Sequence, residues 1–219
     1  MRHVIIAAGG SGSRFNSELP KQFLELSGSP ILIRTVEAFA NCHEDLNIIL
    51  VLPSEHLVLW QEICSAHNFS VQHKVAVGGP TRFQSVKSGL EQIENTEGLV
   101  AIHDGVRPIV SASLIEKVFN EAAAHGNAVP VIPMVDSLRK IQGEKNFPVP
   151  REEYRIIQTP QCFQIGVLKK AFSQAESPSF TDEASAVEAL GESIHLMPGE
   201  PINIKITNPA DLIIAESCL

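Results

Sequence analysis

Short apolar runs alternate along this chain with longer segments in which apolar residues recur every third or fourth position. Apolar runs of about four to eight residues are typical of buried strands, and the longer period is typical of amphipathic helices. The runs predict strands over His3–Ala8, Asn47–Leu52, Val71–Val77, Leu99–His103, Ala128–Ile132 and Ser193–Met197. The periodic segments predict helices over Ile31–Asn41, Glu55–His67, Arg82–Ile93, Ser113–Ala124, Val167–Gln174, Asp182–Leu190 and Pro209–Cys218.

The fourth predicted helix carries a start signal of its own. Ser113 and Glu116 have the spacing of a capping box, in which a hydroxyl and an acid satisfy each other's backbone N–H groups. This spacing predicts that the helix begins at Ser113.

The alternation of strands and helices predicts a three-layer α/β/α, Rossmann-like domain with a mainly parallel sheet. A chain of 219 residues fits one domain of this kind, spanning 1–219. Ligands on such sheets bind outside the carboxyl ends of the strands. Two polar segments follow predicted strands at such ends, the Gly-rich residues after Ala8 and Asp104-Gly105.

Residues 134–158 interrupt the alternation. A polar turn at 142–146 separates two β-like stretches, and Pro148 and Pro150 follow, which predicts a projecting hairpin. Its cations are Arg139, Lys140, Lys145, Arg151 and Arg155. Two interpretations stay open: a solvated edge hairpin, or an arm that reaches over a phosphate site of a partner subunit.

Charge and cysteine content exclude several classes of protein. The net charge of −8 argues against a broad nucleic-acid-binding face, although it permits a small basic pocket. The four cysteines are scattered without a C-x-x-C pair, which is typical of reduced thiols in a cytoplasm. No apolar run has the length of a membrane span, and Val4–Ala8 is too short for a signal-peptide core. We therefore expect a soluble, cytoplasmic protein with no membrane or nucleic-acid partner.

The segment after the first strand indicates phosphate chemistry. Residues 7–23 combine a Gly-rich loop, which carries the small hydroxyls of Ser11 and Ser13, with two cations, Arg14 and Lys21. Backbone N–H groups of such a loop form a cradle for phosphate oxygens, and the cations can stabilise charge that develops there during a reaction. A turn that merely connects a strand to a helix explains the glycines equally well, but it does not require two cations. The segment thus predicts an enzyme that handles a nucleoside triphosphate.

Two common Gly-rich motifs are excluded. The dinucleotide fingerprint G-x-G-x-x-G, begun at Gly10, would require glycine where the chain has Phe15. The P-loop is excluded because no Gly-Lys-Ser/Thr occurs near the loop.

The loop read together with later segments resembles the nucleotidyltransferases that couple a sugar phosphate to a nucleoside triphosphate. Within them, the chain is most similar to the 2-C-methyl-D-erythritol 4-phosphate cytidylyltransferase family. The segments that carry the resemblance occur in this order: AAGGSGSRF, PKQF, GGPTRFQSV, HDGVRP, VDS, TPQCF, TDEASAVE and NIKIT. The resemblance implies transfer of the cytidylyl group of CTP to a polyol phosphate, with Mg²⁺ or another divalent cation as cofactor, in a homodimer.

The resemblance also implies roles for individual residues. Arg14 and Lys21 would be the catalytic cations. CTP would be bound by Ala7, Ala8, Gly9, Gly10, Ser11, Gly12, Ser13, Gly79, Arg82, Ser85, Asp104, Gly105 and Lys205. The sugar phosphate would be bound by Ser137, Arg151 and Thr159, and Asp104 would also be the protein's contact to the metal.

The chain departs from the family pattern at two places. Ser137 stands where the family usually has threonine, which keeps the hydroxyl on a side chain with a less restricted rotamer. Pro201-Ile202 stands where the family often has an acid, so we do not expect the polar contact that such an acid would make.

Taken singly, several of these residues have simpler explanations. Arg82 could be a solvent-facing residue of a first helical turn, Asp104 a turn cap, and Thr181-Asp182-Glu183 a helix N-cap. The histidines need no catalytic role, because a phosphate monoester with a second pKa of about 6 is ionised without a base. His103 then fits a core position of its strand.

Other functions compete with the one that the resemblance implies. They are a ribitol 5-phosphate cytidylyltransferase, an NDP-sugar pyrophosphorylase, a noncatalytic nucleotide-binding protein and an NAD-dependent oxidoreductase.

Overall fold

The computed structural model describes residues 1–10, 15, 19–43 and 45–219. Its strands are β1 (Arg2–Ala7), β2 (Glu25–Leu26), β3 (Ser29–Pro30), β4 (Leu46–Leu52), β5 (Lys74–Val77), β6 (Leu99–Asp104), β7 (Asn127–Pro133), β8 (Leu138–Gln142), β9 (Lys145–Val149), β10 (Arg155–Ile157), β11 (Gln161–Gln164) and β12 (Leu196–Pro198). Its α-helices are α1 (Ile31–Ala40), α2 (Leu57–Ala66), α3 (Arg82–Glu91), α4 (Ala112–His125), α5 (Ile165–Phe172), α6 (Glu183–Glu188) and α7 (Pro209–Ser217).

The main sheet has the strand order β10-β7-β11-β6-β1-β4-β5, and β12 adds to it by pairing with β7. β1 lies parallel to both β4 and β6, β4 is parallel to β5, and β12 is parallel to β7. β11 runs antiparallel to β6 and β7, and β10 runs antiparallel to β7. The prediction of an α/β fold with a mainly parallel sheet is confirmed.

The two faces of β1 belong to different layers of the core. Val4 and Ile6 pack in the same apolar cluster as residues of α1, α2 and α4, among them Phe39 and Phe119. Ile5 packs in a second cluster with residues of α3, α5 and α6. Because side chains alternate across a strand, one fully buried apolar run serves both helical layers.

Strand register positions the site. β1 and β6 are paired so that Ala7 lies opposite Asp104, at the carboxyl ends of both strands. The Gly-rich segment and the polar end of β6 therefore meet at one edge of the sheet, as the sequence predicted.

Most predicted elements are present, but the predicted start of α4 is wrong. Ser111, not Ser113, is the N-cap: it has an extended backbone, and its Oγ accepts a hydrogen bond from the Leu114 backbone N–H at 3.0 Å. Ser113 is exposed within the first turn. The prediction failed because Ser113 has the capping-box spacing to Glu116, whereas the residue three positions after Ser111 is Leu114, so the sequence shows no capping box at Ser111.

Strands β10 and β11 were not predicted. They are short, and Pro160 separates them, so neither shows a clear period of two. β5 and β12 are shorter than predicted and begin at Lys74 and Leu196.

The hairpin predicted in residues 134–158 is confirmed. β8 and β9 pair with each other in antiparallel register, from Leu138 opposite Val149 to Gln142 opposite Lys145. The turn between them contains Gly143 with φ of +61°, a conformation that glycine adopts without strain. We call residues 134–158 the arm.

No helix in the described part of the chain is long and apolar enough to cross a bilayer.

Candidate active site

A cavity of about 250 Å³ opens at the carboxyl ends of β1 and β6. The residues that line it are Ala7, Ala8, Gly9, Gly10, Lys21, Gln22, Gly79, Pro80, Thr81, Arg82, Ser85, Asp104, Val106 and Lys205. Five separate stretches of the chain thus converge on one concave surface, which is the usual form of a small-molecule site. Among the described residues, its wall contains three cationic side chains and one carboxylate.

Backbone groups form one wall of the cavity. Ala8 is fixed by its N–H, which donates to the Val51 carbonyl at 3.0 Å, and by its carbonyl, which accepts from Gln22 Nε2 at 2.9 Å. Ser85 Oγ donates to the Gly79 carbonyl at 3.1 Å. Gly79 lies between the end of β5 and the start of α3. A Cβ at this position would lie 2.5 Å from Gln84 Cβ, so only glycine fits there.

Asp104 is the charged centre of the site and is 6% exposed. Its Oδ2 lies 3.0 Å from Lys205 Nζ and 3.3 Å from Arg107 Nε, and its Oδ1 lies 3.4 Å from Arg82 Nη2. Burial alone would raise the pKa of Asp104, but the three cations outweigh burial and hold that pKa well below its usual range. Asp104 is therefore ionised at any physiological pH.

Arg82 is held from its other side by Glu183, the first residue of α6. The guanidinium Nη1 donates to Glu183 Oε1, and Glu183 is completely buried. Burial opposes the charge on Arg82, yet Glu183 and Asp104 together hold its pKa above the usual value. Burial raises the pKa of Glu183, and Arg82 limits that rise. Arg82 is thus not a solvent-facing residue of a first turn.

Behind Asp104 lies a buried chain of hydrogen bonds. The Asp104 backbone N–H donates to Thr159 Oγ1 at 3.1 Å, Thr159 Oγ1 lies 3.1 Å from His103 Nδ1, and His103 Nε2 lies 3.1 Å from the Arg107 carbonyl. A carbonyl can only accept, so His103 carries its proton on Nε2 and accepts from the Thr159 hydroxyl at Nδ1. Burial lowers the pKa of His103 to about 4, which keeps the ring neutral.

The two lysines of the wall come from opposite ends of the chain. Lys21, in a short 3₁₀ turn over Lys21–Phe23, donates from Nζ to the Ile206 carbonyl at 3.1 Å. Lys205 directly precedes Ile206 in the chain, and its ammonium group contacts Asp104. The Arg107 guanidinium and Gln158 Nε2 both donate to the Asn203 carbonyl, which fixes this segment against β6.

The structure brings most of the sequence-predicted residues to the cavity wall. They are Ala7, Ala8, Gly9, Gly10, Lys21, Gly79, Arg82, Ser85, Asp104 and Lys205. Ser11, Gly12, Ser13 and Arg14 lie outside the described residues.

Four predicted residues lie away from this wall. Gly105 packs beneath Ala8, where an added Cβ would lie 2.9 Å from Ala8 Cβ. Thr159 is buried behind Asp104, and its hydroxyl is used by the hydrogen-bond chain. Ser137 and Arg151 lie on the exposed arm, where Arg151 donates to the Val135 carbonyl at 2.5 Å.

Sequence reasoning missed three residues of the site. Glu183 was explained by helix capping, and Asp182 is indeed the N-cap of α6 in a capping box with Ser185. Arg107 and Gln22 lie within the segments HDGVRP and PKQF that carried the resemblance, but no local signal marks their partners. Their roles depend on contacts between segments that are distant in sequence.

Comparison with known proteins shows the family to which the chain belongs. A model of the family described as 2-C-methyl-D-erythritol 4-phosphate cytidylyltransferase matches residues 2–219. The chain belongs to this family. A protein of that name from Bacteroides thetaiotaomicron is 48% identical over 216 residues, which are 99% of this chain and 98% of the relative.

Solved structures of family members share the fold. The crystal structure of 2-C-methyl-D-erythritol 4-phosphate cytidylyltransferase from Thermus thermophilus is similar with a TM-score of 0.76 at 33% identity, over 99% of this chain and 97% of that one. The Francisella tularensis enzyme of the same name is similar with a TM-score of 0.82 at 28% identity, over 100% of this chain and 99% of that one. The resemblance stated from the sequence is confirmed, and with it the enzyme class, a cytidylyltransferase.

Proposed function

We propose that the chain transfers the cytidylyl group of CTP to 2-C-methyl-D-erythritol 4-phosphate, giving 4-diphosphocytidyl-2-C-methyl-D-erythritol and pyrophosphate in the non-mevalonate route to isoprenoid precursors. Family membership supports this reaction. The observation that carries it to particular residues is the cavity in which Lys21, Arg82, Asp104 and Lys205 surround the backbone at the end of β1.

The reaction needs charge compensation more than it needs a base. An oxygen of the acceptor phosphate attacks the α-phosphorus of CTP, a new P–O bond forms, and the bond to the β-phosphate oxygen breaks with its electron pair leaving on pyrophosphate. At pH 7 the attacking phosphate is mostly ionised, since its second pKa is about 6. His103 is buried with both ring nitrogens engaged, which fits a positioning role rather than proton transfer.

Cations of the cavity oppose the repulsion between the two anions. Lys21 and Lys205 line the same wall, and we propose that both contact phosphate oxygens of CTP, together with Arg14. Preorganised positive charge in a shielded site typically contributes about 3–4 kcal/mol per group to the transition state. We assign the largest share to Lys21, because the carbonyl at Ile206 fixes its ammonium group at the wall.

The donor set at the cavity fits a magnesium ion that is bound chiefly by phosphate oxygens. Asp104 is ionised, and its Oδ1, which accepts a long hydrogen bond of 3.4 Å from Arg82 Nη2, would be the protein's ligand to the ion. Mg²⁺ keeps several waters and takes few protein carboxylates when a substrate supplies phosphates. When bound, the ion would neutralise charge on the triphosphate.

We assign the two substrates to different parts of the chain. CTP occupies the cavity, where Gly79, Arg82 and Ser85 approach the cytidine, while the backbone of residues 7–10 faces the triphosphate. The acceptor phosphate is met by Ser137 and Arg151 on the arm of a partner subunit, and Thr159 fixes Asp104 from behind. We further propose that the chain forms a homodimer. We also propose that it acts in the cytoplasm, since its four cysteines form no disulfide, which fits a reducing compartment.

A direct assay tests the function. Pyrophosphate release is measured with CTP, magnesium and either 2-C-methyl-D-erythritol 4-phosphate or ribitol 5-phosphate as acceptor. We expect turnover with the first acceptor and at least a hundredfold smaller kcat/KM with the second. Comparable rates with both, or a preference for ribitol 5-phosphate, contradict the proposed acceptor.

The role of Lys21 is tested in the same assay. Lys21→Ala should lower kcat by about a hundredfold or more, because one preorganised transition-state cation is worth about 3 kcal/mol, and it should weaken CTP binding much less. Lys87→Ala, on the exposed side of α3, is the matched control. Equal losses in kcat and in CTP affinity would make Lys21 a ground-state anchor only.

A further inference from the structure

Three side chains with metal-ligand chemistry meet at the end of the sheet opposite the cavity. Glu121 and His125 lie one turn apart in the last turns of α4, and His195 directly precedes β12. Glu121 Oε2 lies 2.8 Å from His195 Nε2 and 3.5 Å from His125 Nε2. The ligand atoms of all three residues lie within 4.8 Å of one another.

We propose that Glu121, His125 and His195 bind a divalent transition-metal ion, and that zinc fits them best. Zinc takes imidazole nitrogen and carboxylate oxygen at about 2.0–2.2 Å, which places neighbouring ligand atoms of a tetrahedral site roughly 3–3.5 Å apart. The observed separations from Glu121 Oε2 are close to this spacing. Two imidazoles disfavour magnesium and calcium, which prefer oxygen ligands.

Backbone contacts hold the cluster in place before any ion binds. The His195 N–H donates to Asn127 Oδ1 at 2.8 Å, and the His195 carbonyl accepts from the Val129 N–H at 2.9 Å. Asn127 is also the first residue of β7, just after the glycine that ends α4. The start of β7 therefore fixes His195 relative to the end of α4, which lowers the entropy cost of bringing the ligands together.

The ring of His125 has room to adjust. It stacks on the His195 ring with centroids 3.9 Å apart, and its side chain is 50% exposed. We expect a rotation of this ring about its side-chain bonds to bring His125 Nε2 toward an ion held by Glu121 and His195. Since the side chains are partly exposed, one or two waters can complete the coordination.

A second cluster of similar composition is disfavoured by a fixed cation. Cys42, His43 and Glu116 also lie within ligand distance of one another. Arg2 Nη1, however, lies 2.6 Å from His43 Nε2 and 3.5 Å from Glu116 Oε2, so a guanidinium already occupies the place that a metal ion would take. This cluster serves as an internal control.

The proposed site is separate from the cavity. Gln164 pairs with Leu99 at the start of β6 and donates to the Gly126 carbonyl, whereas Asp104 ends β6. The five residue steps of β6 from Leu99 to Asp104, at about 3.3 Å each, put roughly 16 Å of strand between the end of the sheet that carries the cluster and the end that carries the cavity. An ion there ties the end of α4 to the segment before β12 and takes no part in cytidylyl transfer.

Zinc binding is measured on the full chain after chelator treatment and dialysis, by isothermal titration calorimetry and by thermal unfolding with and without zinc. We expect one equivalent of zinc to bind and to raise Tm, because an ion that binds only the folded state stabilises it. His195→Gln and Glu121→Gln should each weaken binding at least about tenfold. His43→Gln should bind zinc as the wild type does, and His195→Gln should keep wild-type cytidylyl transfer.

Several results would overturn the proposal. They are no heat and no change in Tm in the wild type, unchanged affinity in both His195→Gln and Glu121→Gln, or loss of binding in His43→Gln alone, which assigns the ion to the other cluster. Circular dichroism checks that each variant is folded. If His195→Gln does not fold, His125→Gln decides, since its half-exposed side chain can be replaced without disturbing the core.

Discussion

Glu183 fixes Arg82 at the cavity, although nothing local in the sequence links two residues that are 101 positions apart. Removing one partner of a buried ion pair leaves the other charge uncompensated, at a typical cost of about 3–5 kcal/mol. Glutamine keeps a hydrogen bond to the guanidinium, and Arg82 is partly exposed, so we expect Glu183→Gln to cost about 2–3 kcal/mol.

Urea denaturation measures this change, and the KM for CTP should rise in the same variant as Arg82 loses its fixed position. Glu188→Gln, exposed at the end of the same helix, is the matched control for loss of one negative charge. If both variants have the stability and KM of the wild type, Arg82 does not depend on Glu183.

His103 gives the fold a dependence on pH. Burial lowers its pKa to about 4 in the folded chain, whereas the unfolded chain has the ordinary value near 6.5. Between these two values the unfolded state binds a proton that the folded state does not, so stability is complete above about pH 6.5 and falls as the pH is lowered toward 4. At about 1.4 kcal/mol per pH unit, the loss approaches roughly 3 kcal/mol.

The free energy of unfolding, measured from pH 7.5 to pH 4.5, tests this dependence. His103→Gln keeps a donor toward the Arg107 carbonyl and removes the titration, so its stability should fall less steeply over the same range. His3, whose pKa burial also lowers, acts in the same sense but is present in both proteins. Identical slopes, or an NMR titration of His103 near pH 6.5, would contradict the assignment.

At the scale of elements, the N-cap of α4 is Ser111 and not Ser113, the residue that the sequence predicted. Ser111 Oγ accepts from the Leu114 N–H and also donates to Glu200 Oε1 at 2.7 Å, whereas Ser113 is exposed. Loss of an N-cap costs about 1 kcal/mol, and loss of the second hydrogen bond adds to it. We expect Ser111→Ala to destabilise the chain by about 1–2 kcal/mol.

Ser113→Ala is the natural comparison, because alanine favours the helix and no cap is lost. Its free energy of unfolding in urea should equal or slightly exceed that of the wild type. If Ser113→Ala is instead the less stable of the two variants, then Ser113 is the N-cap, as the Ser113–Glu116 spacing predicted.

Elements with a strong local period were predictable, and elements defined by their partners were not. α1 and α3 begin at the predicted residues, since apolar residues recur on one face of each. β11 instead owes its existence to β6 and β7, between which it inserts in antiparallel register. A four-residue strand after Pro160 carries too little pattern of its own to be recognised.

For the whole molecule, the position of the site followed from topology. Alternating strands and helices predict a parallel sheet, and the carboxyl ends of its strands then bring the Gly-rich segment next to Asp104. The pattern of apolar and polar residues does not predict which side chains from distant parts of the sequence will contact each other. The three cations around Asp104 come from positions 82, 107 and 205, and only the folded chain brings them together.

The arm leads to a prediction about assembly. Several large apolar side chains on it are exposed, notably Val135 at 72%, Ile141 at 70% and Phe147 at 46%. Exposed apolar residues grouped on a projecting hairpin favour association, and a hairpin alone buries little of its own surface. We expect a homodimer in solution, and we expect Ile141→Asp together with Phe147→Asp to shift it to monomer in sedimentation velocity.

The proposed cross-subunit site predicts an effect on activity as well as on the oligomeric state. In the arm variant, CTP should still bind in the cavity, because the arm contributes no residue to the described part of its wall, while kcat/KM for the acceptor phosphate should fall at least tenfold. Val58→Asp, which replaces an exposed apolar residue on α2, controls for the added charge. A monomeric variant with full transfer activity would place the whole site within one subunit, and the contribution of Ser137 and Arg151 from a partner would then be wrong.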